Sequence, residues 1–141
     1  MKDLMFILPY QAGTLAQLTA ALSEAGINLH GISGQQFGPE GIIHVLVEDA
    51  AGAREAAARA GFVVRGEHEV IVADIEDRPG AVSALLAPLA EAGIDVGLTY
   101  LATGSRLVIG VDDVDRARAV MRGTGTDPGP DPDGTNGGGA A

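Results

Sequence analysis

Gly13-Thr14-Leu15-Ala16-Gln17-Leu18-Thr19-Ala20-Ala21-Leu22-Ser23-Glu24-Ala25-Gly26-Ile27 returns 67 positions later as Gly80-Ala81-Val82-Ser83-Ala84-Leu85-Leu86-Ala87-Pro88-Leu89-Ala90-Glu91-Ala92-Gly93-Ile94. Leu18 falls on Leu85, Leu22 on Leu89, and the Glu-Ala-Gly-Ile block on itself. A second match, at an offset of 64, lays Val47-Glu48-Asp49 with Ala53-Arg54 onto Val111-Asp112-Asp113 with Ala117-Arg118. One supersecondary unit is therefore used twice, and its second copy is three residues shorter between the two blocks.

Working outward, each unit parses by period. Leu4, Phe6 and Leu8 alternate with Met5 and Ile7 in an apolar run that suits a central strand covered on both faces or one at a subunit contact. Leu15, Leu18, Leu22 and Ala25 recur at helical spacing, and Gly26 stands where a helix stops on a left-handed residue. Ile27 to Ser33 reads as a strand, Gly34 to Gly41 as a turn-rich connection and Ile42 to Val47 as a strand. Ala50 to Ala60 reads as a helix ended by Gly61, and Phe62-Val63-Val64 opens a further strand, giving the order βαββαβ.

The second copy repeats this with a strand at Val70 to Ile75, a helix at Ala81 to Ala92 and a strand at Ile94 to Ala102. Thr103-Gly104-Ser105 makes a hairpin into Leu107 to Val111, and Asp113 to Met121 is the last helix, with no clear fourth strand after it. Pro88 is expected to kink its helix, whose apolar face Leu85, Leu86 and Leu89 maintain. The expected fold is α+β: two tandem ferredoxin-like modules with antiparallel sheets and helices on one face. The first spans 1–67 and the second, truncated, 68–122. Residues 123–141, Gly, Pro and Asp with no apolar side chain larger than Ala, read as a disordered tail.

Composition narrows the function. Of the 141 residues 19 are acidic and 9 basic, a net charge of −10, with one lysine and no basic cluster. Nucleic acid and anionic membrane surfaces are both disfavoured as partners, since each is bound by summed Lys and Arg contacts. The absence of cysteine excludes disulfides, thiolate metal sites and Cys nucleophiles, and three well-separated His argue against a metal site. No apolar run approaches the ~18 residues of a membrane span, and Met1-Lys2-Asp3 opens no signal peptide, so the expected compartment is the cytoplasm. No nucleophile elbow surrounds Ser33 or Ser83, and Gly31-Ile32-Ser33-Gly34 lacks the Lys of a phosphate loop. No catalytic constellation is present and no cofactor is expected, which points away from an enzyme.

Asp77-Arg78-Pro79-Gly80 lies between a strand and a helix. There Asp77 can cap the helix amides, Pro79 pre-sets the first turn and Gly80 admits close backbone or ligand approach. Helix amides left pointing outward suit a carboxylate. With Ala81-Val82 after it and Ala92-Gly93-Ile94-Asp95 at the next turn, this stretch resembles an ACT domain, the small ferredoxin-like module that binds amino acids and regulates amino-acid metabolism. Gly13-Thr14-Leu15 with Ala25-Gly26-Ile27-Asn28 is similar, and together the two cover Lys2 to about Arg122.

The resemblance implies an effector held where two modules meet, between the first strand–helix loop of one and the start of the second strand of the other. It points to Gln11, Ala12, Gly13, Thr14 and Asn28 in the first copy, and to Asp77, Arg78, Pro79, Gly80 and Asp95 in the second. Asn28 offers a donor and an acceptor to an amino acid's two charged ends, whereas Asp95 in the equivalent place repels a carboxylate unless it meets the ammonium. Tyr10-Gln11-Ala12-Gly13 departs from the Asp-Arg-Pro-Gly pattern, so the two sites are not expected to be equivalent. The fold needs a Gly-containing turn at both places whether or not anything binds there.

His30 shares a strand face with Asn28, while His44 and His68 read as strand or turn residues with no partner in view. Glu48-Asp49 and Asp112-Asp113 read as helix caps rather than metal ligands. The implied function is a regulatory module that senses an amino acid or similar small ligand, forms a homodimer through an open sheet edge and reports to an enzyme of amino-acid metabolism. The alternative is a protein–protein interaction module whose ligand site has decayed.

Overall fold

The structure is a computed structural model that describes residues 1–130. Strand β1 (Lys2–Pro9), helix α1 (Thr14–Glu24), strands β2 (Gly31–Phe37) and β3 (Glu40–Val47), helix α2 (Ala50–Arg59) and strand β4 (Val64–Glu69) form a first series. Strand β5 (Ile71–Asp74), helix α3 (Ala81–Glu91), strands β6 (Leu98–Ala102) and β7 (Arg106–Gly110) and helix α4 (Val114–Gly123) form a second, with no strand after α4 among the described residues. The equivalence reaches the helix starts. Both α1 and α3 begin after a left-handed glycine, Gly13 (φ 88°) and Gly80 (φ 86°), with no side-chain cap. Both α2 and α4 are capped by an aspartate: Asp49 accepts from the Gly52 amide at 2.8 Å and Asp113 from the Arg116 amide at 3.0 Å.

Several boundaries differ from expectation. The second strand is β2 at Gly31–Phe37 and not Ile27 to Ser33, so the expected turn shrinks to Gly38 and Pro39. Gly34, Gln35 and Gln36 are poor strand formers on their own. Register with Ile43, Ile42 and Gly41 of β3 draws them into the ladder. Likewise β6 starts only at Leu98, and β4 continues through Glu69, two residues beyond the expected boundary at 67. Helix α3 runs through Pro88 as one element, held to the core by buried Leu85 and Leu89.

The strands form one seven-stranded sheet in the order β4-β1-β3-β2-β6-β7-β5, rather than two separate sheets. A single residue pair, Gly31 with Ala102, joins the two halves. Leu4, Phe6, Leu8, Val45 and Val47 pack beneath Leu18 and Leu22 of α1 and the alanines of α2, while Ile71, Ala73, Leu107 and Ile109 pack beneath α3 and α4. All four helices thus lie on one sheet face.

The helix-free face is buried too, for a topological reason. Strands β4 and β5 are the two outer strands, about 30 Å apart in a flat seven-stranded sheet, yet Val70 alone connects them. The sheet must therefore bend sharply at Val70 and at the β2–β6 seam, turning the helix-free faces of its halves towards each other. Leu46, Val70, Tyr100 and Val108 form the small core between them.

The expected disordered tail begins as ordered structure. Gly123 closes α4, the Thr126 amide donates to the Met121 carbonyl at 2.9 Å, and Pro128 is buried. Arg118, itself 3% exposed, donates through Nη1 to the carbonyls of Pro128, Gly129 and Pro130 at 3.2, 3.4 and 3.4 Å. An apolar-poor segment is held here by a buried guanidinium, a tie that composition does not reveal. The remainder of that expectation, 131–141, lies outside the described residues.

Candidate functional site

Strand register sorts the expected ligand residues by the end of the sheet on which they fall. Pro9 pairs with Glu40, and Glu40 with Phe37, so the loop Tyr10 to Gly13 sits at the β2–β3 turn, where the Tyr10 amide donates to the Pro39 carbonyl at 2.9 Å. Asn28 enters β2 from the other end, where Gly31 pairs with Leu46. Six strand residues, about 20 Å, separate Asn28 from Gln11 and Thr14 within one chain, so the first expected set is not brought together. Instead Asn28 donates to His30 Nε2 at 3.5 Å, and His30 lies 3.4 Å from Glu48.

The second set is divided in the same way. Ile75 donates to the Ser105 carbonyl and Thr103 to the His30 carbonyl, which puts the loop Asp77 to Gly80 at the end of the molecule where Asn28 enters β2. Asp95 precedes β6 at the far end of that strand. Thus the loop of the second half shares an end with the second-strand start of the first half. Asp77, Arg78, Pro79, Gly80 and Asp95 are all exposed. Asp77 does not cap α3 as expected, because Gly80 occupies the cap position, and Arg78 pairs with Glu76.

A formed cleft of about 280 Å³ opens beside the first loop. Leu8 and Ile43, both nearly buried, make its floor, and Leu15 and Tyr10 rise at its rim. Thr14, 8% exposed, and the side chains of Gln11 and Gln36 supply its polar groups; Gln35, paired with Ile42 on the other sheet face, lines it through its backbone, and Ala12 and Gly13 shape the loop without lining it. No ionisable carboxyl or basic side chain lines it apart from the rim phenol.

Helix α1 adds donors. Thr14 bonds weakly back to the Gln11 carbonyl at 3.4 Å and Gln17 makes the first regular helical bond, to Gly13, leaving the Leu15 and Ala16 amides without a partner among the described residues. Unpaired amides at the positive end of a helix dipole, beside side-chain amides over an apolar floor, suit a small carboxylate-bearing ligand. Gln35 and Gln36 escaped sequence reading because they fell in the expected turn. Their signal was the run Gly34-Gln35-Gln36-Phe37 facing Gly41-Ile42-Ile43 across that turn.

A wider groove of about 630 Å³ is lined by Glu67, His68, Glu69, Asp112, Asp113 and Asp115 and repels such a ligand. Glu67 there has its carboxyl held below the ordinary value, first by the hydrogen bond from Arg54.

The structure also assembles a polar cluster that sequence reading missed. Asp3 of β1 is fully buried between the two sheet halves. Its Oδ1 accepts from the Tyr100 hydroxyl at 2.7 Å, and its Oδ2 lies 2.8 Å from His44 Nδ1 and 3.4 Å from His68 Nδ1. His44 and His68, expected to be without partners, share this carboxyl. Burial first, then the bond to Asp3, pushes the Tyr100 hydroxyl well above its ordinary range. Ser33 pairs with His44 across the β2–β3 ladder on this face without a side-chain hydrogen bond to it among the described residues, and no group of three or more His, Asp or Glu among the described residues is arranged to hold a metal.

No family model and no curated protein sequence matches the chain. Solved structures do. A protein from Bacteroides thetaiotaomicron is 25% identical with a TM-score of 0.80, over 89% of each chain. The ligand-free regulatory subunit of aspartate kinase from Thermus thermophilus is 19% identical with a TM-score of 0.65, over 88% of this chain and 89% of that one. The corresponding Thermus flavus subunit is 22% identical with a TM-score of 0.56, over 86% and 87%. The likeness is one of fold over nearly the whole chain, and the α+β architecture is ACT-like. No helix among the described residues is long and apolar enough to cross a membrane.

Proposed function

We propose that the chain is a non-enzymatic regulatory protein of two tandem ACT-like modules that binds a small amino acid, or a similar zwitterion, in the cleft at the start of α1. The observation that carries this reading is the meeting of the uncapped Leu15 amide with Thr14, Gln11 and Gln36 over the Leu8 and Ile43 floor. The amide takes the carboxylate, the side-chain carbonyls and hydroxyl take the ammonium, and the floor takes a short side chain. Binding favours whichever arrangement of the protein makes these contacts best, and that preference is what a partner reads. Regulatory subunits of aspartate kinase share the fold, which supports an enzyme of amino-acid metabolism as that partner.

A thermal-shift screen of the twenty amino acids tests the reading. At a hundredfold excess over Kd a bound ligand adds about 2.7 kcal/mol, a rise of about 10 °C for a protein of this size. The rise is expected to vanish in Gln36→Leu and in Thr14→Val and to persist in Asn28→Ala. No rise with any amino acid, or a rise lost only in Asn28→Ala, removes the cleft as the site. The second reading, an interaction module with a decayed ligand site, is favoured by the position of β5 as the last strand of the sheet among the described residues, an edge that a partner chain could complete.

A further inference from the structure

Among the described residues the first half of the sheet has a strand, β4, outside β1, whereas the second half has none outside β5. Because Ile75 donates to Ser105, the two-residue alternation turns Ile71 and Ala73 towards β7, and Val72 and Asp74 present their N–H and C=O groups to the open edge. Such an edge is a template for another strand. It is also self-complementary: about a two-fold axis at Ala73, Val72 of one chain faces Asp74 of a second copy and Asp74 faces Val72, so each pair can exchange both backbone bonds.

Something already lies across it. Gly129 sits against the Val72 carbonyl so closely that a Cβ placed there would collide with it, and its φ of 77° is one a side chain resists. Yet the segment makes no ladder with β5, because the Gly129 amide donates to its own neighbour Asp127 at 2.9 Å. What holds it is Arg118. That buried guanidinium donates to three carbonyls through Nη1 alone, and its Nε has no hydrogen-bond partner among the described residues. The unpaired Nε carries a desolvation cost that exposure of the guanidinium would relieve, so releasing the segment regains part of what its three bonds contribute. The cover also leaves a space of about 260 Å³ between itself and Val70, Val72, Asp74 and Arg106. The segment thus shields the edge without pairing to it.

We propose that Thr126–Pro130 is an intramolecular strap that keeps the β5 edge from pairing with a second copy of this chain. The strap and the edge partner are mutually exclusive, since both need the space beside Val72. The proposal rests on the reading of the edge as the self-association surface and is independent of any ligand at α1.

The test uses the full chain and its mass by light scattering across micromolar concentrations. The unsubstituted chain is expected to be monomeric. Gly129→Val, whose side chain cannot fit against Val72, and Pro128→Asp, which places a charge where Pro128 is buried, are each expected to double the mass. Adding Asp74→Pro, which removes an outward N–H at an exposed edge position, returns it to the monomer. Amide exchange at Val72 slows in the associated form. If both strap variants keep the monomer mass, or if their association survives Asp74→Pro, the proposal fails. A full chain that is already a dimer dissolved by Asp74→Pro would overturn the strap while leaving the edge reading intact.

Discussion

Asp3 shows how much one residue can depend on partners far along the chain. A fully buried carboxyl is tolerated only when its oxygens are satisfied, and here a phenol and two imidazoles do so from positions 97, 41 and 65 residues away. Tyr100→Phe removes the shortest of these bonds and leaves Oδ1 buried without it, which is expected to cost about 1–3 kcal/mol, read from the urea midpoint. The same residue sets an alkaline limit. Its hydroxyl is raised in the folded state, so above the ordinary value of 10.0 the unfolded chain releases the proton while the folded chain keeps it. Stability is therefore whole below that pH and falls as pH rises, by at most about 1.4 kcal/mol per pH unit, and Tyr100→Phe is expected to flatten the decline. None of this is legible from the local sequence. His44 and His68 each look solitary, and Asp3 looks like part of a polar N-terminus.

At the scale of elements the sequence speaks more clearly. Helices α1 to α4 fall where the apolar spacing and the stop glycines put them, because a helix is selected by contacts three and four residues apart. Capping divides the acidic residues by function. Asp49→Ala and Asp113→Ala are each expected to lower stability by about 1 kcal/mol in denaturant titrations, whereas Asp77→Ala, with no amide to cap, stays within about 0.5 kcal/mol of the parent. Sequence reading gave Asp77 a cap it does not make, since Gly80 takes that position in a left-handed conformation. Strands were read less well. Gly34-Gln35-Gln36 carries no strand signal of its own, and only pairing to β3 makes it one, which is why two residues that line the cleft are expected in a turn.

For the whole molecule the decisive position is Gly31, at the single pair that joins the two halves. A Cβ there would stand 3.0 Å from Tyr100 Cε2 and 3.1 Å from Ala102 Cβ, closer than side chains normally come. Gly31→Val is expected to wedge the seam and cost about 1–3 kcal/mol, while Gly97→Ala, which opens onto empty space, is neutral or slightly stabilising; paired thermal melts check both. The repeated unit, the α+β class and the lack of a strand after α4 among the described residues follow from the sequence by itself, because a duplicated period and local spacing survive in any conformation. The bend at Val70 and the β2–β6 seam does not follow, nor does what it produces: the burial of Asp3, the separation of Asn28 from the α1 loop, and the strap beside Val72. These depend on how one sheet closes on itself. That closure is fixed by register and packing between residues distant in the chain, which no local pattern encodes.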